Sequence, residues 1–141
     1  MYKSILLPID LSHKESWDKA VPVAVGLAKQ YGAKIHVLTV IPDFGMAVVG
    51  TFFPADFADN ALAATKKELD SFVGEHIPND LLDASHAVHG TIYQQILKNA
   101  DELGCDLIVI GSHQPAKADY LLGPNAARVV RHASQSVHVV R

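Results

Sequence analysis

The residues best suited to chemistry lie toward the end of the chain, in CDLIVIGSHQPAKADYLLGPNAARVVRHASQSVHVVR. An apolar run, Leu107 to Ile110, leads straight into Gly111, and after a polar stretch Gly123 and Pro124 open a short helical pattern. A strand ending in glycine, followed by a glycine at a helix start, is an arrangement that holds phosphate. Unpaired backbone N–H groups and the positive end of the helix dipole converge there on an anion. Pro124 suits the first helical position, because its missing N–H has no intrahelical acceptor there. It also removes one phosphate donor, leaving the N–H groups of Asn125 and Ala126 and the Asn125 side chain. Simpler roles rest on the same residues: Gly111 as a bend between strand and loop, Gly123 as an ordinary helix start. Two isolated glycines are a weak motif.

Other reactive side chains carry less. Ser112 and His113 are neighbours in sequence, which does not make a nucleophile and base; those must meet in space with a third, orienting group. No G-x-S-x-G elbow is present. There are eight histidines, but no H-E-x-x-H and no Cys/His cluster. His86 and His89 fall on opposite faces of a strand, so the histidines read as scattered surface or core residues and no metal site is expected. Cys105 reads as inert packing. Neither a general base nor a carboxylate pair for Mg²⁺ stands out, so any hydrolysis should be slow and no catalytic residue is assigned.

The elements that must position these residues alternate regularly. Ser4–Ile9 reads as a buried first strand. Residues 14–31 carry helical spacing in Trp17, Ala20, Val21, Ala24, Val25 and Ala28, with Ser12 and Glu15 as a capping box, a kink at Pro22 and a stop at Gly32. Residues 34–41 form a second strand, and 42–54 an unusually apolar loop, suited to a lid, a partner surface or packing on its own domain. Residues 55–76 form a helix with Phe57, Leu62, Leu69, Phe72 and Val73 inward. A third strand covers 81–88, a helix 91–103, a fourth strand 105–110, a helix 124–132 and a fifth strand 136–140. Continuous apolar strands alternating with helices predict a parallel sheet covered on both faces. The expected architecture is α/β, an open doubly wound five-stranded sheet of order 3-2-1-4-5. Its switch point lies between strands 1 and 4, where ligands bind beyond the strand carboxyl ends.

Length and composition set bounds. The chain has 141 residues, enough for one domain, here 1–141, with a full core. It is 49% hydrophobic and 19% charged with net charge −3. No basic run or aromatic-basic stripe appears, which argues against nucleic acid. One cysteine excludes a disulfide framework. No signal-peptide pattern and no apolar run of about 18 residues appears, so a cytoplasmic protein without membrane insertion is expected.

Over its whole length the chain resembles the universal stress protein family. The opening ILLPIDLS, the strand end VLTVIP, the segment HGTIYQQIL, and DLIVIGSH followed by LLGPNAARVVRHASQSVHVVR carry the resemblance. It implies a Rossmann-like fold of the adenine nucleotide alpha hydrolase type. It also implies ATP as the ligand of many members, through the pattern G-2x-G-9x-G-[ST], with Mg²⁺ held mainly by the phosphates. Gly111 and Gly123 match the first and third glycines. Gln114 stands at the middle one, eight residues (Pro115 to Leu122) replace nine, and Pro124 follows where the pattern has Ser or Thr; the form GSHQP…LLGPNAA is similar to a subgroup of the family. By resemblance Asp10 faces the adenine or ribose end of a nucleotide, the alternative being that it caps the helix that follows. Val40 offers its backbone to the adenine edge, and His113 lends polarity near the phosphates. The implied binding set is Pro8, Asp10, Val40, Ile110, Gly111, His113, Gln114, Gly123, Pro124, Asn125 and Ala126. The resemblance further implies a homodimer through strand 136–140, with a higher oligomer open, and a regulatory or stress-response role toward a client it does not name. A weak ATPase or phosphotransferase, a nucleotide-free protein scaffold and an accessory to a membrane transporter are the alternatives.

Overall fold

The computed structural model describes residues 1–42, 57–112 and 123–141. Strands β1 (Ser4–Ile9), β2 (Lys34–Pro42), β3 (Leu82–Gly90), β4 (Leu107–Gly111) and β5 (Ser136–Val140) alternate with helices α1 (Ala20–Tyr31), α2 (Phe57–His76), α3 (Ile92–Glu102) and α4 (Pro124–His132). The strands form one sheet of order β3-β2-β1-β4-β5, with every pairing parallel. This is the order the sequence predicts.

β1 runs through the centre, and its side chains alternate between two cores. Ile5, Leu7 and Ile9 join Ile35, Val37, Leu107 and Val109 beneath α1 and α2. Leu6 joins Leu38, Ile108 and Ile110 beneath α3 and α4, with Ile96, Ala100 and Val129. Leu69, Phe72 and Val73 are the buried side of α2 as expected, and Leu62 is half-buried. The Phe57 side chain, the expected loop beyond Pro42, and the expected helix start at residue 55 lie outside the described residues.

The single helix expected over 14–31 is instead two pieces. Lys14–Ser16 is one 3₁₀ turn, and α1 starts only at Ala20. Pro22 is the reason: it occupies the third position of α1, within the first turn, where no intrahelical acceptor awaits an N–H. A proline deeper in the helix would cost roughly 3 kcal/mol. The proline therefore sets where α1 begins and does not kink it. Nor does Ser12 cap it; the residue before α1 is Lys19, which makes no side-chain cap. Gly32 ends α1 in the left-handed conformation, φ 68°, as expected. β3 and β4 reach Gly90 and Gly111, slightly past their expected ends, and Cys105 precedes β4. It is buried, and burial pushes its thiol pKa up.

Two side-chain clusters were not legible in the sequence. Trp17 meets Phe72 and His76 edge-on, both at 4.8 Å between centroids, and those two rings stack at 4.2 Å. The expectation of scattered histidines fails at His36, whose Nδ1 lies 3.0 Å from His86 Nε2. The β2–β3 ladder shifts between Ile35 and His36, which leaves Asp83 as the extra residue of β3. Its Oδ2 lies 3.3 Å from His36 Nε2.

Candidate functional site at the switch point

β1 and β4 are neighbours whose helices go to opposite faces of the sheet. A cleft of about 300 Å³ opens beyond their carboxyl ends. It gathers every expected binding residue that lies within the described residues. Pro8 and Asp10 come from the end of β1, Val40 from β2, Ile110 and Gly111 from β4, and Gly123, Pro124, Asn125 and Ala126 from the start of α4. His113 and Gln114 lie outside the described residues. The sequence reading missed several others. Leu38, Pro42, Ile92 and Ile96 line the cleft and, with Val40, make β2 and α3 its apolar contribution. His13 and Ser16 line it too, and with Asp10 and the start of α4 they make its polar contribution.

The turn after β1 is held by its own hydrogen bonds. Asp10 Oδ1 accepts the Ser12 N–H at 2.9 Å, and the Asp10 carbonyl accepts the His13 N–H at 3.0 Å. Ser16 Oγ accepts the Asp10 N–H at 2.9 Å and lies 2.7 Å from the His13 carbonyl, to which it can donate. Asp10 thus closes a side-chain turn ahead of the 3₁₀ segment, which replaces the expectation that it caps α1. Its second oxygen, Oδ2, lies 2.8 Å from His13 Nδ1, and both side chains are 54% exposed. A carboxylate only accepts, so Nδ1 carries the hydrogen and the basic lone pair of the neutral ring sits on Nε2. The spacing Asp-x-Ser-His was the available signal, since aspartate favours bonding to the N–H two residues on.

Gly111 has a reason different from the expected one. A Cβ built there would overlap the carbonyl oxygen of Ser16 and stand 3.1 Å from its carbonyl carbon. The space vacated by the missing side chain is filled by the 3₁₀ turn lying against the end of β4. A phosphate does not need that space to explain the glycine. Next to it, Ser112 links β4 to two elements: its N–H donates to the Val140 carbonyl at 2.8 Å, and its Oγ accepts the Gly123 N–H at 3.4 Å.

α4 begins as expected, with Gly123 extended at the N-cap and Pro124 first in the helix. Its first turn closes with the Ala127 N–H donating to the Gly123 carbonyl at 2.9 Å. The N–H groups of Asn125 and Ala126 have no intrahelical acceptor, and both residues line the cleft. Among the described residues, no group of three or more His, Cys, Asp or Glu is arranged to hold a metal ion. No described helix is long and apolar enough to cross a membrane.

Fold and cleft together define an open, doubly wound α/β protein with its candidate site at the switch point. The chain belongs to the universal stress protein family, whose model matches residues 1–141. Universal stress protein G of Shigella flexneri is 37% identical over 145 residues, covering 100% of both chains. Among solved structures, the hypothetical protein MJ0577 superposes with a TM-score of 0.74 at 25% identity, covering 99% of this chain and 96% of that one. Two more distant relatives show the same fold. One universal stress protein in complex with cAMP has a TM-score of 0.66 at 22% identity, covering 99% of this chain and 97% of its own. One from Archaeoglobus fulgidus in complex with dAMP has a TM-score of 0.66 at 20% identity, covering 99% of this chain and 98% of its own.

Proposed function

We propose that the chain binds ATP in the switch-point cleft and acts as a nucleotide-dependent regulatory module of the stress response. One observation carries this reading: an apolar wall from β2 and α3 shares a cleft with two N–H groups at a helix start that no helical carbonyl can accept. An adenine fits the former, with the backbone of Val40 at its edge, and a phosphate chain fits the latter. Mg²⁺ travels with the phosphates. The fold accepts adenine nucleotides, since the two distant relatives were solved with cAMP and dAMP. The module works as a homodimer through β5, which is an edge strand. Val140 gives its carbonyl to β4, so in a parallel ladder Ser136, His138 and Val140 face β4 and Val137 and Val139 face the free edge. A second copy satisfies those groups.

Mass spectrometry of ligand released from freshly purified protein, with calorimetry against ATP and AMP, tests the reading. An adenine nucleotide bound at one per chain is expected. If no adenine nucleotide is found and neither compound gives heat, the chain is a scaffold without nucleotide.

A further inference from the structure

β3 is an edge strand of the sheet, and its hold on β2 includes a contact between two imidazoles. His86 pairs with Leu38 across the ladder, and His36 lies two residues before Leu38, so both rings stand on the α3 side of the sheet. His36 Nδ1 lies 3.0 Å from His86 Nε2, with ring centroids 5.2 Å apart and planes tilted by 32°. The rings therefore meet nitrogen to nitrogen and do not stack. His36 is buried and His86 half-buried. The register shift after Ile35 leaves Asp83 beside them, its Oδ2 3.3 Å from His36 Nε2.

The hydrogens along this row can be counted. A carboxylate offers only lone pairs, so it favours the hydrogen of His36 on Nε2, and Nδ1 then accepts from His86 Nε2. One added proton leaves the row intact. It sits on the outer nitrogen of His86, one hydrogen still lies between the rings, and Asp83 balances the charge. A second added proton cannot be held. Both facing nitrogens then carry a hydrogen, neither offers a lone pair, and two cations stand against one carboxylate.

The surrounding charges do not relieve that repulsion. Lys66 of α2 adds positive charge at His86, and its partner Asp70 is engaged with it at 2.6 Å. Lys34, on the same face of β2, donates to the Asp80 carbonyl. On α3, Lys98 pairs with Glu102 at 4.0 Å, and Asp101 accepts from Gln135. Burial raises the pKa of the Cys105 thiol, which keeps it uncharged. His89 falls on the opposite face of β3.

We propose that His36, His86 and Asp83 form an acid-released latch that fastens the edge strand β3 to β2. The latch holds with one added proton or none and opens with two. Burial first, then His36 and Lys66, lowers the His86 pKa from 6.5. The latch is therefore whole above that value and is lost as pH falls from there through the folded one. β3 continues through Gly90 and Thr91 into α3, whose Ile92 and Ile96 line the cleft. The latch thus bears on the support of one cleft wall, and it operates without a nucleotide.

Native-state hydrogen exchange of the full-length, nucleotide-free protein, followed by NMR, tests the latch. After correction for intrinsic exchange, opening of the Ala84 to Val88 amides should rise about tenfold or more between about pH 7.5 and about pH 5. The amides of β1 and β4 should keep their protection. His36→Gln and His86→Gln each leave one imidazole and should lose the rise. In the wild type, the ring signals of His36 and His86 should show one of the two titrating below the exposed His132. A wild type whose β3 opening ignores pH, or variants that keep the full rise, overturns the latch. Should neither variant fold, the wild-type titration decides: two rings that titrate as His132 does overturn it.

Discussion

The carbonyl oxygen of Ser16 occupies the space that a side chain on Gly111 would need. Two segments distant in sequence meet there backbone to backbone. The end of β4 and the turn after β1 are thereby fixed as adjoining walls of the cleft.

That contact predicts the effect of Gly111→Val on stability in the absence of any ligand. The obstacle is backbone, not a flexible side chain, so the turn must shift. Overpacking of this kind costs typically about 1–3 kcal/mol. Denaturant titration of nucleotide-free protein should show that loss. An unchanged midpoint would mean the turn gives way freely, and any affinity lost in the variant would then report on the ligand.

Pro124→Ser restores an N–H and adds a hydroxyl at the first position of α4. A hydrogen bond to a charged group contributes about 1.5–3 kcal/mol. Calorimetry should show ATP affinity rising more than AMP affinity. Equal responses from the two nucleotides would place position 124 away from the phosphates.

Val139→Pro addresses the dimer. The ladder to β4 uses the backbone groups of Ser136, His138 and Val140, so proline at 139 removes a donor from the free edge and spares the ladder. Light scattering should find dimeric wild type and a monomeric or aggregated variant. A variant that remains a soluble dimer would rule out pairing through β5.

His86 predicts a pH dependence of stability. Burial, and after it the charge of His36 and of Lys66, lowers the His86 pKa from 6.5, while Asp83 opposes the shift. The unfolded chain therefore takes up that proton first. The stability contributed by neutral His86 is whole above its ordinary pKa and is lost as pH falls from there through the folded value. Urea midpoints taken at about pH 7.5 and about pH 5.5 should fall further for wild type than for His86→Gln. Parallel falls would show that His86 does not contribute.

The sheet was legible because parallel strands covered on both faces read as unbroken apolar runs. β1 and β5 keep their expected bounds, and the order follows from the alternation of elements. The switch point followed from the order, and with it Pro8, Asp10, Gly111 and the start of α4. Less legible was whatever depends on contacts between distant segments. Pro22 signalled a perturbed helix, but only the observed start at Ala20 puts it in the first turn, where it marks a beginning and not a kink. His13 became a site residue only once Asp10 turned its carboxylate toward it. The meeting of His36 with His86 depends on a shift in ladder register that no local pattern announces. The apolar wall of the cleft was hidden for another reason: Leu38 and Ile96 are core residues that also border the opening, and hydrophobic periodicity cannot tell these roles apart.

Trp17 is the chain's single tryptophan. It follows directly on Ser16, whose carbonyl abuts β4, and its ring leans on Phe72 and His76 of α2. The indole therefore sits at a junction between the rim of the cleft and the helix behind it. Its emission is an optical gauge built into the protein, sensitive to any displacement of that junction and readable without an added label.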